Sequence, residues 1–245
     1  MRVIVDKDYQ TLSRRAALFL AGEIIRKPDT VLGLATGSTP VGTYQQLVKL
    51  HQERMADFSE VTTFNLDEYY GVSPDNQCSY AWFMDHHLFG HVNVQRNNIH
   101  IPNGLTQDVE LECRNYEDKI QQAGGIEVQL LGIGRNGHIG FNEPSSEFAA
   151  HTSLVELDQG TIEANSRFFD SRDQVPRQAI SMGIKSIMKA RRILLLANGS
   201  EKAEAIYNTL CGPITPQCPA SVLQLHPDVT IMVDKEAGKD LPREC

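Results

Sequence analysis

The sequence predicts an α/β fold: a single Rossmann-like domain over residues 1–245, with a mostly parallel sheet and helices on both faces. Three observations carry this. Apolar runs such as Val31–Ala35 and Ile193–Leu196 are continuous rather than alternating, as in strands buried on both faces. Between such runs lie segments with apolar residues at helical spacing, such as Leu12, Ala16, Leu20 and Ile24. No linker, composition shift or internal repeat divides the 245 residues, a length ordinary for one α/β domain.

In order, residues 2–5 read as a short buried strand and 8–26 as an amphipathic helix. Residues 31–35 are the next strand, running into Thr36-Gly-Ser-Thr-Pro40. Pro40 fits the first turn of a helix carrying Tyr44, Leu47, Val48 and Leu50. A third strand at 61–66 ends on Asp67-Glu68-Tyr69-Tyr70. The long connection 71–95 contains a helix around 79–89; a short strand follows at 99–101, then a charged amphipathic helix over 108–123. Residues 127–134 form the strand before a glycine-rich loop. The remainder reads as a strand at 152–157, a helical turn at 164–169, a helix at 176–190, a strand at 192–197, a helix at 200–210 and a closing strand at 229–233. Ligands of open parallel sheets bind outside the carboxyl ends of the strands. The polar loops at 36–40, 67–70 and 134–143 all leave such ends, so one shared site is expected there.

The bulk numbers exclude several classes. A net charge of -8, with no Lys/Arg run, argues against nucleic-acid binding. Five cysteines without C-x-x-C spacing suggest neither a zinc site nor a disulfide framework, and point to a reducing compartment. The opening Met1-Arg-Val-Ile-Val enters a strand without a signal-peptide pattern, and no apolar run approaches membrane-spanning length. The expectation is a cytoplasmic protein with a small-molecule substrate and no membrane partner; monomer and homo-oligomer both stay open.

The most informative stretch is Leu131-Gly-Ile-Gly-Arg-Asn-Gly-His-Ile-Gly-Phe-Asn-Glu-Pro144. It sets Asn136, His138 and Glu143 within eight residues on a glycine-rich loop, a plausible acid/base station. Gly132, Gly134 and Gly137 also satisfy the dinucleotide pattern G-x-G-x-x-G, but Gly140 and Pro144 fall where its helix should grow. The nucleotide reading is therefore weak. Thr36, Gly37, Ser38 and Thr39 offer backbone N–H groups and hydroxyls at a helix start, the parts of an anion cradle; an ordinary capped turn explains them equally well. Lys202 in a helix's first turn works against the helix dipole unless an anion sits nearby, and Arg167 is the other candidate cation. Read from the residues alone, solvated surface charge is the leading account of both. Asp67 could be a general base whose pKa is raised by partial burial, or a helix cap. His86, His87 and His91 fit a surface helix better than a ligand set, so no metal is expected.

Taken together, the motifs Gly33-Leu-Ala-Thr-Gly-Ser-Thr-Pro40, Asn65-Leu-Asp-Glu-Tyr69, Gly132–Pro144, Asn165-Ser-Arg-Phe-Phe169 and Lys202-Ala203 strongly resemble the glucosamine-6-phosphate deaminase family. They occur in that family's order. The resemblance implies conversion of glucosamine 6-phosphate to fructose 6-phosphate and ammonia. It implies Asp67 as the base moving a proton between C2 and C1, and His138 as the ring-opening group, set by Asn136 and Glu143. The Thr36–Thr39 loop, Arg167 and Lys202 would hold the phosphate, and proton transfer alone requires no cofactor or metal. Two departures stand out. Many family members have aspartate in place of Asn136, and those activated by N-acetylglucosamine 6-phosphate have a basic Arg-x-Lys segment where this chain has Ser153-Leu154-Val155. That activation is expected to be absent. The competing readings are a 6-phosphogluconolactonase-like hydrolase and, less favoured, a non-catalytic sugar-phosphate sensor.

Overall fold

The computed structural model describes residues 1–166, 169 and 174–242. Among the described residues, ten strands alternate with seven α-helices and form two sheets. The chain runs β1 (Arg2–Asp6), α1 (Tyr9–Arg26), β2 (Val31–Leu34), α2 (Ser38–Gln52), β3 (Thr62–Asn65), β4 (Asp67–Tyr69), α3 (Tyr80–His87), β5 (Ile99–His100) and α4 (Val109–Gln122). It continues with β6 (Val128–Leu131), β7 (Ser153–Glu156), α5 (Gln159–Asn165), β8 (Gln178–Ser181), α6 (Ile184–Met188), β9 (Arg192–Ala197), α7 (Ala203–Cys211) and β10 (Val229–Asp234).

The main sheet is seven-stranded and parallel throughout, in the order β1-β10-β9-β6-β2-β3-β5. Its central strands β2, β6, β9 and β10 are almost wholly buried, as their continuous apolar runs require. Helix α1 starts where the Asp8 carboxylate accepts from Thr11 N at 2.8 Å, and lays Leu12, Ala16, Leu20 and Ile24 into the core. The buried Glu23 on its far end is shared by Arg26, at 2.5 Å, and by Arg192 at the start of β9. Removing one partner would leave the others as uncompensated charge, so this network ties α1 to the sheet.

The second sheet is small and antiparallel, in the order β4-β8-β7. It has its own apolar cluster of Tyr69, Phe141, Leu157, Ile162, Val175 and Ala179. Two sequence expectations change here. The strand at 152–157 belongs to this sheet and not to the main one. The predicted helix over 176–190 is strand β8 followed by the short helix α6. Ile180, Ile184 and Ile187 mimic helical spacing, but pairing of β8 with strands on both sides overrides that local pattern. Leu66 joins the two sheets: its N–H donates to Leu34 O, and its carbonyl accepts from Met182 N. Among the described residues, no helix is long and apolar enough to cross a membrane.

Candidate active site

Strand order reverses at the β2–β6 pair: β3 and β5 extend the sheet to one side, β9, β10 and β1 to the other. Loops leaving the two strands diverge there and open a crevice. A cavity of about 580 Å³ occupies it, lined from the ends of β2, β3, β6 and β9 and from α5. The three loops expected to converge do so.

One end of the cavity is suited to an anion. Thr36, Gly37, Ser38 and Thr39 line it at the start of α2, whose N-terminus has no side-chain cap. The capped-turn reading therefore fails, and the helix presents its positive end to the cavity. The turn is braced from behind. Tyr44 donates its hydroxyl to Ala35 O at 2.5 Å, and Tyr9 accepts from Gly42 N at 2.8 Å. Thr39 donates to Asn198 Oδ1 at 2.7 Å, which ties this loop to the one after β9. That second loop is held in turn by Asp234, whose carboxylate accepts from Gly199 N at 3.1 Å. Lys202 lines the cavity from this loop, next to Glu201, which pairs with Arg135. Arg167 lies outside the described residues.

Asp67 opens β4, directly after the Leu66 joint, and is only 5% exposed. Burial, reinforced by the neighbouring charge of Glu68, pushes its carboxyl up to about 8. The helix-cap role falls to Glu68 and not to Asp67: the Glu68 carboxylate accepts from Tyr80 N and Ala81 N at 2.9 Å each. Asp67 faces the cavity.

The glycine-rich loop after β6 turns His138 into the same space. Gly134 lies against the imidazole so closely that a Cβ there would come within 2.3 Å of the ring, and Gly137 sits at φ 84°, which other residues rarely adopt. Gly132 meets neither demand. Glu143 stands behind the histidine. Its Oε2 lies 3.1 Å from His138 Nδ1 and accepts from Asn136 Nδ2 at 2.8 Å; its Oε1 accepts from the Thr161 hydroxyl at 2.5 Å. Burial would raise this carboxyl, but those three partners outweigh it and hold Glu143 down at about 2. Asn136 also accepts from His138 N at 3.2 Å, so the amide braces both members of the pair.

Apart from Arg167, every residue singled out from the sequence lines the cavity or, for Glu143, backs a residue that does. Sequence reasoning missed Thr161, Asn198, Arg135 and Tyr80. Tyr80 donates its hydroxyl to the Tyr69 hydroxyl at 3.3 Å and stacks on Phe141. Arg135 stands within the Leu131–Pro144 stretch, and Tyr80 had a weaker local signal, an aromatic just after the Ser79 that caps α3. Among the described residues, no cluster of His, Cys, Asp and Glu could hold a metal ion. The arrangement can transfer protons at two separate stations on one small polar ligand anchored by an anionic group.

Residues 7–232 match the family model for glucosamine-6-phosphate isomerases/6-phosphogluconolactonase. A glucosamine-6-phosphate deaminase of Clostridioides difficile is 56% identical over 241 residues, covering 98% of this chain and 97% of its own. One from Halothermothrix orenii is 55% identical over 238 residues, covering 97% and 99%. The solved structure of a monomeric glucosamine-6-phosphate deaminase superposes with a TM-score of 0.95 at 48% identity, covering 98% of this chain and 99% of that one. A 6-phosphogluconolactonase from Thermotoga maritima gives 0.76 at 18% identity, covering 96% and 99%; it is alike in fold alone.

Proposed function

Because this chain belongs to the glucosamine-6-phosphate isomerase/6-phosphogluconolactonase family, and matches its deaminase members along nearly its whole length, we infer how its cavity performs their reaction. The chain is an enzyme of amino-sugar catabolism, a glucosamine-6-phosphate deaminase: glucosamine 6-phosphate and water give fructose 6-phosphate and ammonia. Residues 1–245 act as one isomerase/deaminase-like domain.

The observation that carries the site assignment is the pair of proton-transfer stations in one cavity: Asp67 on one side, His138 backed by Glu143 on the other. The substrate phosphate lies at the uncapped start of α2, held by Thr36, Gly37, Ser38 and Thr39, by Lys202 and by Arg167. His138 takes the proton from the C1 hydroxyl and returns one to the ring oxygen, which opens the ring to the C1 aldehyde. Glu143 stabilises the imidazolium formed in between, and Asn136 keeps Glu143 ionised and aimed. Asp67 then removes the C2 proton and delivers it to C1. The enolamine becomes an imine, water adds at C2, and ammonia leaves. Asp67 must be ionised to act. The substrate's ammonium at C2 supplies the opposite charge that favours that form.

Strand β7 carries Ser153, Leu154 and Val155 where activated relatives would need cations, so N-acetylglucosamine 6-phosphate does not activate this enzyme. Velocity curves with and without it should superimpose; a leftward shift would refute this. The main test is a coupled assay for ammonia and fructose 6-phosphate, run beside 6-phosphogluconolactone hydrolysis. Turnover of the amino sugar and not of the lactone supports the reading. The reverse sinks it.

A further inference from the structure

The two oxygens of Glu143 are served by different parts of the chain. Oε2 is held by Asn136 and His138 from its own loop, whereas Oε1 accepts from Thr161 on α5, eighteen residues away. We propose that Thr161 is a positioning residue for the deaminase reaction: its hydroxyl fixes the plane of the Glu143 carboxylate, so that Oε2 stays on His138 Nδ1 and Nε2 is the nitrogen left for the sugar. This rests on the assignment of His138 as the ring-opening group.

A carboxylate held at one oxygen can still turn about its last bond, and a partner on each side stops that rotation. The remaining question is whether α5 is firm enough to act as the second side. It is anchored at its N-terminal end and along one face. Asp158 caps it, accepting from Gly160 N at 2.8 Å. Ile162 on the helix, and Leu157 just before it, are each 6% exposed in the cluster that also contains Tyr69 and Phe141. Thr161 is equally buried, at 6%. Although it lines the cavity, its one hydroxyl proton is committed to Glu143. Thr161 therefore acts on the reaction through Glu143, and not as a donor to the sugar. The histidine's tautomer follows from the same geometry: a carboxylate fixed at Nδ1 keeps the proton there and leaves Nε2 as acceptor.

The bland possibility is that the bond merely pins α5 in place, and three variants separate the two. Thr161→Val keeps the shape and removes the hydroxyl, Thr161→Ala removes it with less bulk, and Thr161→Ser retains it. Loss of one aimed hydrogen bond should lower kcat about tenfold in Val and Ala with KM changed by less than about twofold, while Ser recovers most of kcat. Nitrogen-15 NMR of the His138 ring in the ligand-free enzyme gives a second readout that needs no substrate. Wild type and Ser should show the Nδ1-protonated tautomer, and Val and Ala a mixture. Wild-type kcat and ring spectrum in both Val and Ala would overturn the proposal. So would a Ser variant as impaired as Val with a raised KM, since that is the mark of packing. A wild-type enzyme inactive on glucosamine 6-phosphate would instead refute the deaminase reading, leaving the NMR comparison to decide on Thr161.

Discussion

Asp67 and Glu143 are two buried carboxylates at one cavity, and their surroundings drive them in opposite directions. Both lose water. Asp67, at the joint between the sheets, gains the charge of Glu68 beside it and is pushed up to about 8. Glu143, on the loop after β6, is met by His138, Thr161 and Asn136 and held at about 2. Glu68 is also raised: burial pushes it up, and the backbone N–H groups of Tyr80, Ala81 and Tyr69 oppose that only in part. Burial acts in the same sense on all three, so the kind of partner decides the outcome: side-chain donors and the charge of His138 for Glu143, backbone N–H groups alone for Glu68, and a second acid for Asp67. Acid/base roles follow from such divergence. The carboxyl with high proton affinity can take and return a proton, and the one held ionised supplies a fixed charge.

The largest effect should come from removing the proton carrier. Asp67→Asn is expected to lower kcat by about 10⁴-fold with little change in affinity for a phosphate-bearing inhibitor. Near-normal turnover would break the contrast altogether. His138→Gln should cost about 10³-fold, less for a substrate analogue locked in the open-chain form. Asn136→Asp tests the other carboxylate. A second anion beside Glu143 raises its proton affinity, but from about 2, so Glu143 stays ionised in the working range and turnover at pH 8 should stay within about threefold of wild type. A loss of about tenfold or more would mean that the Asn136 Nδ2 bond is needed to aim Glu143.

The smallest effect is on stability. The folded-state pKa of Asp67 is raised, so this group's contribution is fully present below its unfolded value and is lost as pH rises through about 8. Asp67→Asn removes that penalty, and the variant should melt higher than wild type at pH 8, by about 2–4 °C for each kcal/mol recovered. The gain should shrink toward pH 5. A variant that melts lower at pH 8 would show that Asp67 is not strained by its burial.

The main sheet and its loops were legible because continuous apolar runs stop abruptly at glycine and hydroxyl residues, each stop marking a strand end. Lys202 was legible as an anomaly, a cation where the dipole disfavours one. The small sheet was not. Asp67-Glu68-Tyr69 is three residues long and polar at its start, which reads as a loop, and the isoleucines after Gln178 imitate a helix. Thr161 was hidden for another reason: it meets Glu143 only after β7 and α5 have packed, and no spacing in the chain announces that meeting. The same holds for the bond between Thr39 and Asn198, which are 159 residues apart.

The pairing of β1 with β10 also has a consequence for how the molecule is made. Arg2–Asp6 is synthesised long before its strand partner Thr230–Asp234, with the rest of the sheet between them in sequence. Until then the nascent chain carries an unpaired strand, with Leu12, Ala16 and Leu20 on the following helix waiting for a surface to cover. A product that stopped before β10 would expose β9 as an open edge prone to pairing with other chains.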